Sequence, residues 1–488
     1  MKILLAGYNL DYDLISELKE KSGLHADLTP ETISAAYARI SRSARPVNEL
    51  RGIARTEVEK ARQSNRNIVF EMGHSSIAEH AVFNIDVLGI SRLLVEEIEK
   101  FRLCAFTEKS QRYVLFDKDF VLPDEIGETG LTRLFAEMVA AQNDYYHHLY
   151  EQLRPYVFEQ NKTLAKDPAN KSTLEGWAKE DARYVISLAT QTQLGMTINA
   201  RNLELMLRRL AALPLAEAQE YSQKLYAATK DIAPSLIRYT QATDYDKFTR
   251  KNLVQKTNDI FLKYGQKAAR LKPAAVNLSH VTDNADTRVA AALLFSSSQK
   301  DYTRCLNQAK SLSPKDKKSL FKIAFEHMKP HDAALRELEN IDLQFELIIS
   351  SSCFAQLKRH RMATIIAQEY DPSLGVTIPP SVRKIGQQKN FLKIMRQTEK
   401  SYEEIKKRAP VAAAYVLTNA HRKRALMKLN ARELYHLARL RADTHAQWDI
   451  KKLTIEMLRQ ARKKMPMTLS LACGKDYFAA FYRKTFGR

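Results

Sequence analysis

Two stretches of this 488-residue chain read alike: INARNLELMLRRL at 198–210 and LNARELYHLARLR at 429–441. Each carries Asn-Ala-Arg-x-Leu where the apolar spacing predicts the start of a helix. Each is followed by Ala-Gln and a further amphipathic stretch, for which the spacing predicts helices over 217–239 and 446–465. The likeness indicates that a large unit of structure occurs twice.

The regions upstream of these motifs also match. SSIAEHAVFNIDVLGISRLLVEEIEKFR (75–102) and LRELENIDLQFELIISSSCFAQLKRHR (335–361) share one order: a Glu, a strand pattern, a helix pattern and a basic cluster. The period of roughly 230–260 residues is far longer than that of a solenoid repeat, so a whole domain is duplicated. We place the boundary near residue 245, which predicts a first domain at 1–245 and a second at 246–488.

The mixture of patterns predicts an α+β fold. MKILLAG, HAVFNIDVLGI (80–90) and FELIIS (345–350) are apolar, branched segments typical of strands, while helical spacing dominates elsewhere. No stretch has the roughly 18 apolar residues of a membrane helix, and the N-terminus does not resemble a signal peptide. The four cysteines are far apart, which predicts a reducing, cytoplasmic location and no metal site.

Charge is divided unevenly along the chain. Residues 1–245 carry 30 Lys and Arg against 34 Asp and Glu, whereas residues 246–488 carry 47 against 22. Such asymmetry is typical of nucleic-acid binding, but a host for small anionic ligands needs the same charge. Charge alone leaves both interpretations open.

A series of motifs resembles one known family. The first half contains GHSSIAEHAVF (73–83), FTEKSQRYV (106–114) and EDARYVI (180–186), and the second contains QLKRHRMAT (356–364) and LNARELYHLARLRADTHAQWDI (429–450). In this order they are similar to the flavin-dependent thymidylate synthases, FAD enzymes that methylate dUMP with methylene-tetrahydrofolate. The resemblance implies two tandem domains, each with an antiparallel sheet core and long helices.

Each half departs from the family pattern in a different place. The second half keeps Gln356 and the Arg-His-Arg signature, but Ala367, Glu369 and Asp371 replace the Glu-x-Ser-x-Arg element. The first half keeps that element, but Lys100, Phe101 and Arg102 replace the signature and Glu97 replaces the Gln. Likewise Arg183 aligns with Ala414, and Arg441 aligns with Leu210. Complementary losses are expected if the two halves together supply one composite site and leave a second one degenerate.

The resemblance implies a role for each retained residue. The dUMP phosphate would meet Ser110, Gln111, Arg112 and Arg183, the base and sugar would meet Gln356 and Arg359, and Arg441 would activate the uracil. FAD would be bound by Arg359, Arg361, Asn430 and Arg432, with His360 and His436 flanking the flavin ring. Glu108 would contact both ligands, and His74, Ser76 and Glu79 would lie in the flavin and folate neighbourhood.

The same residues also admit plainer interpretations. Asn-Ala-Arg-x-Leu suits an ordinary helix start, the Arg-His-Arg cluster suits a solvated basic turn, and His74 suits a core or capping position. The leading hypothesis is FAD-dependent synthesis of dTMP by a homodimer of four domains. NADPH is the expected co-substrate, and a ferredoxin-like reductant is left open. The alternatives are a flavin- and folate-dependent uridine methylase acting on RNA, and a degenerate flavin- or RNA-binding module. Nucleic acid is a secondary partner in the leading hypothesis, and no membrane is expected.

Cys104 and Cys353 lie beside the basic clusters, where a methylating enzyme of another type would need a thiolate nucleophile. Both stand among apolar residues, so we predict buried, inert thiols.

Overall fold

The computed structural model describes residues 1–10, 12–21, 29–40, 43, 45–116, 119–265 and 274–487. The described residues form two four-stranded antiparallel sheets, of strand order β1-β2-β4-β3 and β5-β6-β8-β7. The α+β prediction and the prediction of antiparallel cores are therefore confirmed.

The first sheet and the helices up to α11 come from the first half of the chain, and α12 begins at the predicted boundary and extends beyond it. The strands are β1 (Lys2–Tyr8), β2 (Val82–Ser91), β3 (Ala105–Glu108) and β4 (Gln191–Asn199). The helices are α1 (Tyr12–Lys21), α2 (Glu31–Ile40), α3 (Val47–Thr56), α4 (Val58–Arg66), α5 (Arg92–Ile98), α6 (Asp124–Gly127), α7 (Thr132–Gln160), α8 (Lys162–Ala165), α9 (Lys171–Ala182), α10 (Ala200–Ala211), α11 (Ala216–Thr229) and α12 (Asp244–Tyr264).

The second half repeats the plan. Its strands are β5 (Val276–Val281), β6 (Asp342–Ser350), β7 (Thr364–Tyr370) and β8 (Arg422–Asn430). Its helices are α13 (Ala285–Ser296), α14 (Tyr302–Ser311), α15 (Pro314–Phe325), α16 (Ser351–Leu357), α17 (Pro380–Lys384), α18 (Gln388–Arg408), α19 (Ala431–Arg441), α20 (Trp448–Arg462) and α21 (Phe478–Phe486).

Helix α11 is shorter than the spacing predicts. The apolar period continues to residue 239, but the helix ends at Thr229. Pro234 lies five residues on, and the residue before a proline disfavours helical backbone. The prediction of helix over 217–239 is therefore wrong for its last ten residues, whereas α20 covers most of the predicted 446–465.

Equivalent residues of the two repeats can be read from the sheets. β2 has a register irregularity between Leu88 and Ile90, at Gly89, whose φ of 69° suits a residue without Cβ. Beyond it, Ser91 and Ser350 are equivalent N-caps: the Ser91 hydroxyl accepts from the Leu94 amide, and that of Ser350 from Cys353. Residues after these caps can therefore be compared position by position.

By contacts the chain forms two compact units. Unit 1 is Met1–Ala269 with Lys384–Thr418, and unit 2 is Arg270–Arg383 with Asn419–Arg488. Unit 1 thus includes α18, a helix of the second repeat. There Gln142 of α7 donates to the Thr398 hydroxyl of α18 at 2.8 Å and to the Val416 carbonyl at 2.9 Å. The boundary near residue 245 was placed between the two sequence repeats, which differ from these contact-based units, and it stays a prediction.

Each unit has its own apolar core. The inward faces of β2 and β4 pack on α5, α10 and α11 in unit 1, and those of β6 and β8 pack on α16, α19 and α20 in unit 2. Cys104 and Cys353 are buried in these cores, and burial raises the pKa of Cys353, so the prediction of buried thiols is confirmed. Among the described residues, no helix combines the length and apolar character needed to cross a membrane.

Candidate functional site

Three polar side chains of unit 2 form a chain of hydrogen bonds. His360 follows α16, and Glu433 and Arg441 lie on one face of α19, two turns apart. His360 Nδ1 and Glu433 Oε1 are 3.1 Å apart, and Arg441 Nε lies 3.1 Å from His360 Nε2. His360 and Glu433 are 3% and 6% exposed, so little water competes for these bonds. The carboxylate, imidazole and guanidinium are therefore linked in series.

The hydrogen bonds define the protonation of His360. An arginine Nε–H can only donate, so Nε2 of His360 must be the acceptor. The ring proton therefore resides on Nδ1, and this N–H group donates a hydrogen bond to Glu433. Burial lowers the pKa of His360, an effect that the hydrogen bond to Glu433 opposes and the Arg441 charge reinforces. His360 is accordingly a neutral imidazole with one fixed tautomer.

His436 lies one turn beyond Glu433 and is exposed. Its ring meets that of His360 edge to face at a centroid distance of 5.7 Å. The donor atoms of His360, Glu433 and His436 lie within 4.8 Å of one another, a spacing that could hold a metal ion. The neighbouring Arg441 cation and the proton on His360 Nδ1 both disfavour that use. His360 and His436 do lie side by side, as their predicted shared role requires.

Gln356, Arg359 and Arg361 lie next in sequence to His360 or contact the hydrogen-bonded series. The Gln356 carbonyl accepts from Arg441 Nη2 at 3.3 Å, and its side chain approaches Gln447 Oε1 at 3.4 Å. The same Gln447 oxygen caps α20 by accepting from the amides of Asp449 and Ile450. Arg359 is half-buried and Arg361 is exposed. The structure thus brings Gln356, His360, His436 and Arg441 together in unit 2.

Asn430 and Arg432 also have structural partners. The Asn430 side chain caps α19 by accepting from the Glu433 amide at 2.8 Å, as Asn199 caps α10 in the first repeat. Arg432 pairs with Glu339 at 3.0 Å and donates to the Ala334 carbonyl. The first repeat contains the same pair, Arg201 with Glu79. A helix start and an ion pair that occur in both repeats explain these residues without a ligand, and their ligand roles stay predictions.

The predicted phosphate residues meet in unit 1 at the end of α9. Arg112 forms an ion pair with Glu180, whose carbonyl accepts from Arg183 Nε at 3.3 Å. The Ser110 hydroxyl accepts from the Arg112 amide at 3.1 Å. Arg183 is buried, and burial lowers its pKa. Arg112 thus contacts the carboxylate of Glu180, and Arg183 contacts the carbonyl of the same residue. Gln111 is buried in the loop that carries Ser110.

Three more predicted residues of unit 1 are Glu108, His74 and Ser76. Glu108, at the end of β3, forms an ion pair with Arg92 and accepts from the Thr192 hydroxyl at 3.2 Å. His74 and Ser76 are exposed around the start of the short helix Ser75–His80.

In each repeat, residues that depart from the family pattern make local contacts. Lys100 stands at the position of Arg359, and its ammonium pairs with Glu97 at 2.6 Å, so the lysine charge is neutralised. In the second repeat, Asp371 takes the place of Arg112 and caps the turn Pro372–Leu374 by accepting from the Ser373 amide at 2.9 Å. The sheet register also aligns Ala367 with Glu108.

Sequence reasoning missed two carboxylates. Glu433 stands in the third position of α19, and its role depends on a histidine 73 residues away in the chain. Glu217, near the start of α11, accepts from the Ser91 hydroxyl at 2.6 Å, the Ser91 amide at 2.7 Å and the Tyr415 hydroxyl at 2.7 Å. The signal available for Glu433 was the change from Asn-Ala-Arg-Asn to Asn-Ala-Arg-Glu between the repeats.

The sequence of this chain matches the model of a known protein family. The family model described as "Thymidylate synthase complementing protein" matches residues 24–235 and 277–467. The chain belongs to this family. The two matched regions fall on the two repeats, so the thymidylate synthase complementing family unit is present in duplicate.

Two similar proteins match most of this chain, and a third matches less than half of it. A UPF0159 protein of Thermoplasma acidophilum is 21% identical over 88% of this chain and 93% of its own length, and one of Chlamydia muridarum is 24% identical over 86% and 82%. The flavin-dependent thymidylate synthase of Clostridium tetani is 29% identical over 43% of this chain and 82% of its own length. A solved structure of flavin-dependent thymidylate synthase ThyX from Helicobacter pylori, complexed with FAD and dUMP, is 17% identical, with a TM-score of 0.30 over 49% of this chain and 100% of that one.

Proposed function

We propose that this chain is a FAD-dependent thymidylate synthase that methylates dUMP reductively, with methylene-tetrahydrofolate and NADPH as co-substrates. The observation that carries the proposal is the complementary division of the family's site residues. Unit 1 holds the Ser110, Arg112 and Arg183 set, and unit 2 holds Gln356, His360 and Arg441. A complete set needs residues from both repeats. The synthase names of the shorter relatives support the same reaction.

The chemistry of the donor set fits the proposed ligands. Arg359, Arg361 and His436 present cationic and N–H donors that are half-buried or exposed, which suits the pyrophosphate and ring of FAD. Bound FAD would supply the hydride that dUMP methylation needs. The guanidinium groups of Arg112 and Arg183 suit a nucleotide phosphate, since arginine forms forked hydrogen bonds to such oxygens. Arg441 would stabilise the negative charge that develops on the uracil.

The direct test is product formation. Purified protein should be yellow, and it should convert dUMP to dTMP when given methylene-tetrahydrofolate and NADPH. Chemically reduced flavin should replace NADPH if another reductant serves in the cell. A flavin-free protein that makes no dTMP with added FAD and either reductant would contradict the proposal.

We expect one FAD per chain at saturation, because each repeat retains only one part of the family's site. The measurement is flavin absorbance per chain after removal of excess FAD, together with the mass of the assembly, for which we propose a homodimer of four repeats. Two firmly bound FAD molecules per chain would show that the degenerate set is functional.

The basic second half favours the RNA methylase as the second candidate. Residues 246–488 carry 47 Lys and Arg against 22 acids, but the runs at 406–408, 421–424 and 462–464 are separated along the chain. We therefore expect RNA binding to be weak at physiological salt. If the protein contacted 6–10 phosphates of an RNA, raising the salt from 50 to 200 mM would lower its affinity for that RNA about 10³–10⁵-fold. The affinity for a mononucleotide should depend only weakly on salt. Parallel titrations of dUMP and a structured RNA measure both slopes. Tight RNA binding at physiological salt, with uridine methylation and no dTMP, would favour the alternative.

A further inference from the structure

We propose that Glu433 is a positioning residue for uracil activation: through His360 it holds the guanidinium of Arg441 in the orientation that the reaction needs. The inference rests on the proposed function, in which Arg441 contacts the uracil. Glu433 itself is buried and would act only through the imidazole.

Glu433, His360 and Arg441 are hydrogen-bonded in that order. The Asn430 cap fixes the backbone of Glu433 in the first turn of α19, where the helix dipole favours a carboxylate. Glu433 accepts a hydrogen bond from the Nδ1–H group of His360. Nε2 of His360 is therefore the acceptor for Arg441 Nε. A rotated imidazole, or one with its proton on Nε2, would present no lone pair to the arginine. The carboxylate therefore selects both the tautomer and the ring orientation on which the Arg441 hydrogen bond depends.

The first repeat lacks all three residues of this hydrogen-bonded series. Asn202 stands at the position of Glu433, Phe101 at that of His360 and Leu210 at that of Arg441. Phe101 and Leu210 pack with the apolar core of unit 1, and Asn202 donates to the capping Asn199 side chain. The first repeat has lost Arg441's counterpart and has kept neither the carboxylate nor the imidazole. The three residues are thus all present in the second repeat and all replaced in the first.

The carboxylate of Glu433 is buried. Removing a buried acceptor from a charge-assisted hydrogen bond leaves its donor without a partner, at a cost of several times RT. His360 would then turn or change tautomer, and the guanidinium would lose its link to α19's first turn. Misplacement of a reacting group by about 1 Å can cost about 10²-fold in rate.

The experiment compares Glu433→Gln, Glu433→Ala and His360→Phe in the full-length chain. We expect Glu433→Ala to lower kcat for dTMP formation about 30–100-fold and Glu433→Gln about tenfold, because the link weakens while the substrate contacts remain. The KM for dUMP and the affinity for FAD should stay within about threefold, a split that a general loss of folding would not give. Glu456→Gln, which breaks an exposed pair with Arg459 on α20, is the matched control and should keep full activity.

A double variant tests whether Glu433 acts through His360. In the His360→Phe background, adding Glu433→Gln should change kcat by less than about twofold, since the link is already broken. Losses that multiply, or a Glu433→Gln variant with kcat within about twofold of the parent, would overturn the inference. A parent chain that makes no dTMP would overturn the proposed function instead. Should Glu433→Ala fail to fold, the Glu433→Gln results decide.

Discussion

Replacing Arg112 or Arg359 by Ala should each weaken dUMP binding at least tenfold and remove measurable dTMP synthesis at low dUMP, although the two arginines lie in different repeats. A lost charge-assisted hydrogen bond costs about 1.5–3 kcal/mol, and tenfold in affinity is about 1.4 kcal/mol. The measurement is calorimetric titration of dUMP into the FAD-loaded protein, followed by initial rates. Equal damage from both arginines is the expected signature of one site assembled from two repeats.

The first repeat supplies the matched controls. Lys100 stands where Arg359 stands but already pairs with Glu97, and Arg102 takes the place of Arg361. Lys100→Ala and Arg102→Ala should therefore leave dUMP affinity within about twofold of the parent. If Arg102→Ala were as damaging as Arg359→Ala, the first repeat's basic cluster would be functional and the assignment of half-sites would be wrong.

Glu217→Ala should destabilise unit 1 by about 3 kcal/mol or more, the second large effect that we expect. The carboxylate accepts three hydrogen bonds, and its loss would leave the Ser91 amide and the Tyr415 hydroxyl buried without that acceptor. Each buried donor left unsatisfied costs about 1–3 kcal/mol. Activity should fall only as far as the folded fraction falls, since Glu217 belongs to no proposed half-site.

The two tryptophans allow this prediction to be measured unit by unit. Trp177 lies in unit 1 and Trp448 in unit 2. In a Trp448→Phe background, urea unfolding followed by tryptophan fluorescence reports unit 1, which avoids treating a two-unit chain as a single transition. Glu220→Ala, at a half-buried neighbour on α11 that pairs with Lys224, is the control and should shift the midpoint little. A Glu217→Ala midpoint equal to that of Glu220→Ala would contradict the role.

The parts of the structure that depend on local pattern could be predicted from the sequence. Alternating branched residues predicted β2 and β6, and Asn-Ala-Arg-x-Leu predicted the two helix starts that Asn199 and Asn430 cap. The duplication followed from the order of these motifs. Periodicity failed at the end of α11, where the apolar spacing continues beyond the last helical residue.

What depends on distant contacts could not be predicted. The pairing of Glu433 with His360, and of Glu217 with Tyr415, joins residues 73 and 198 positions apart, and neither carboxylate stands in a pattern that shows its partner. The pairing of Arg432 with Glu339 was likewise hidden, because an arginine after a helix start reads equally well as a ligand for phosphate. Residue type limits the chemistry, and only the fold selects the partner.

Helix α18 gives the duplicated chain a property that a separate copy would lack. The helix comes from the second repeat, yet it is built into unit 1, where it covers the buried face of α7 around Gln142. Two chains carrying one repeat each would have to exchange such a segment by association, and the exchange would fail on dilution. A covalent connection replaces that encounter with a high effective concentration. The fused chain can thus complete unit 1 as soon as it is synthesised, at any abundance in the cell.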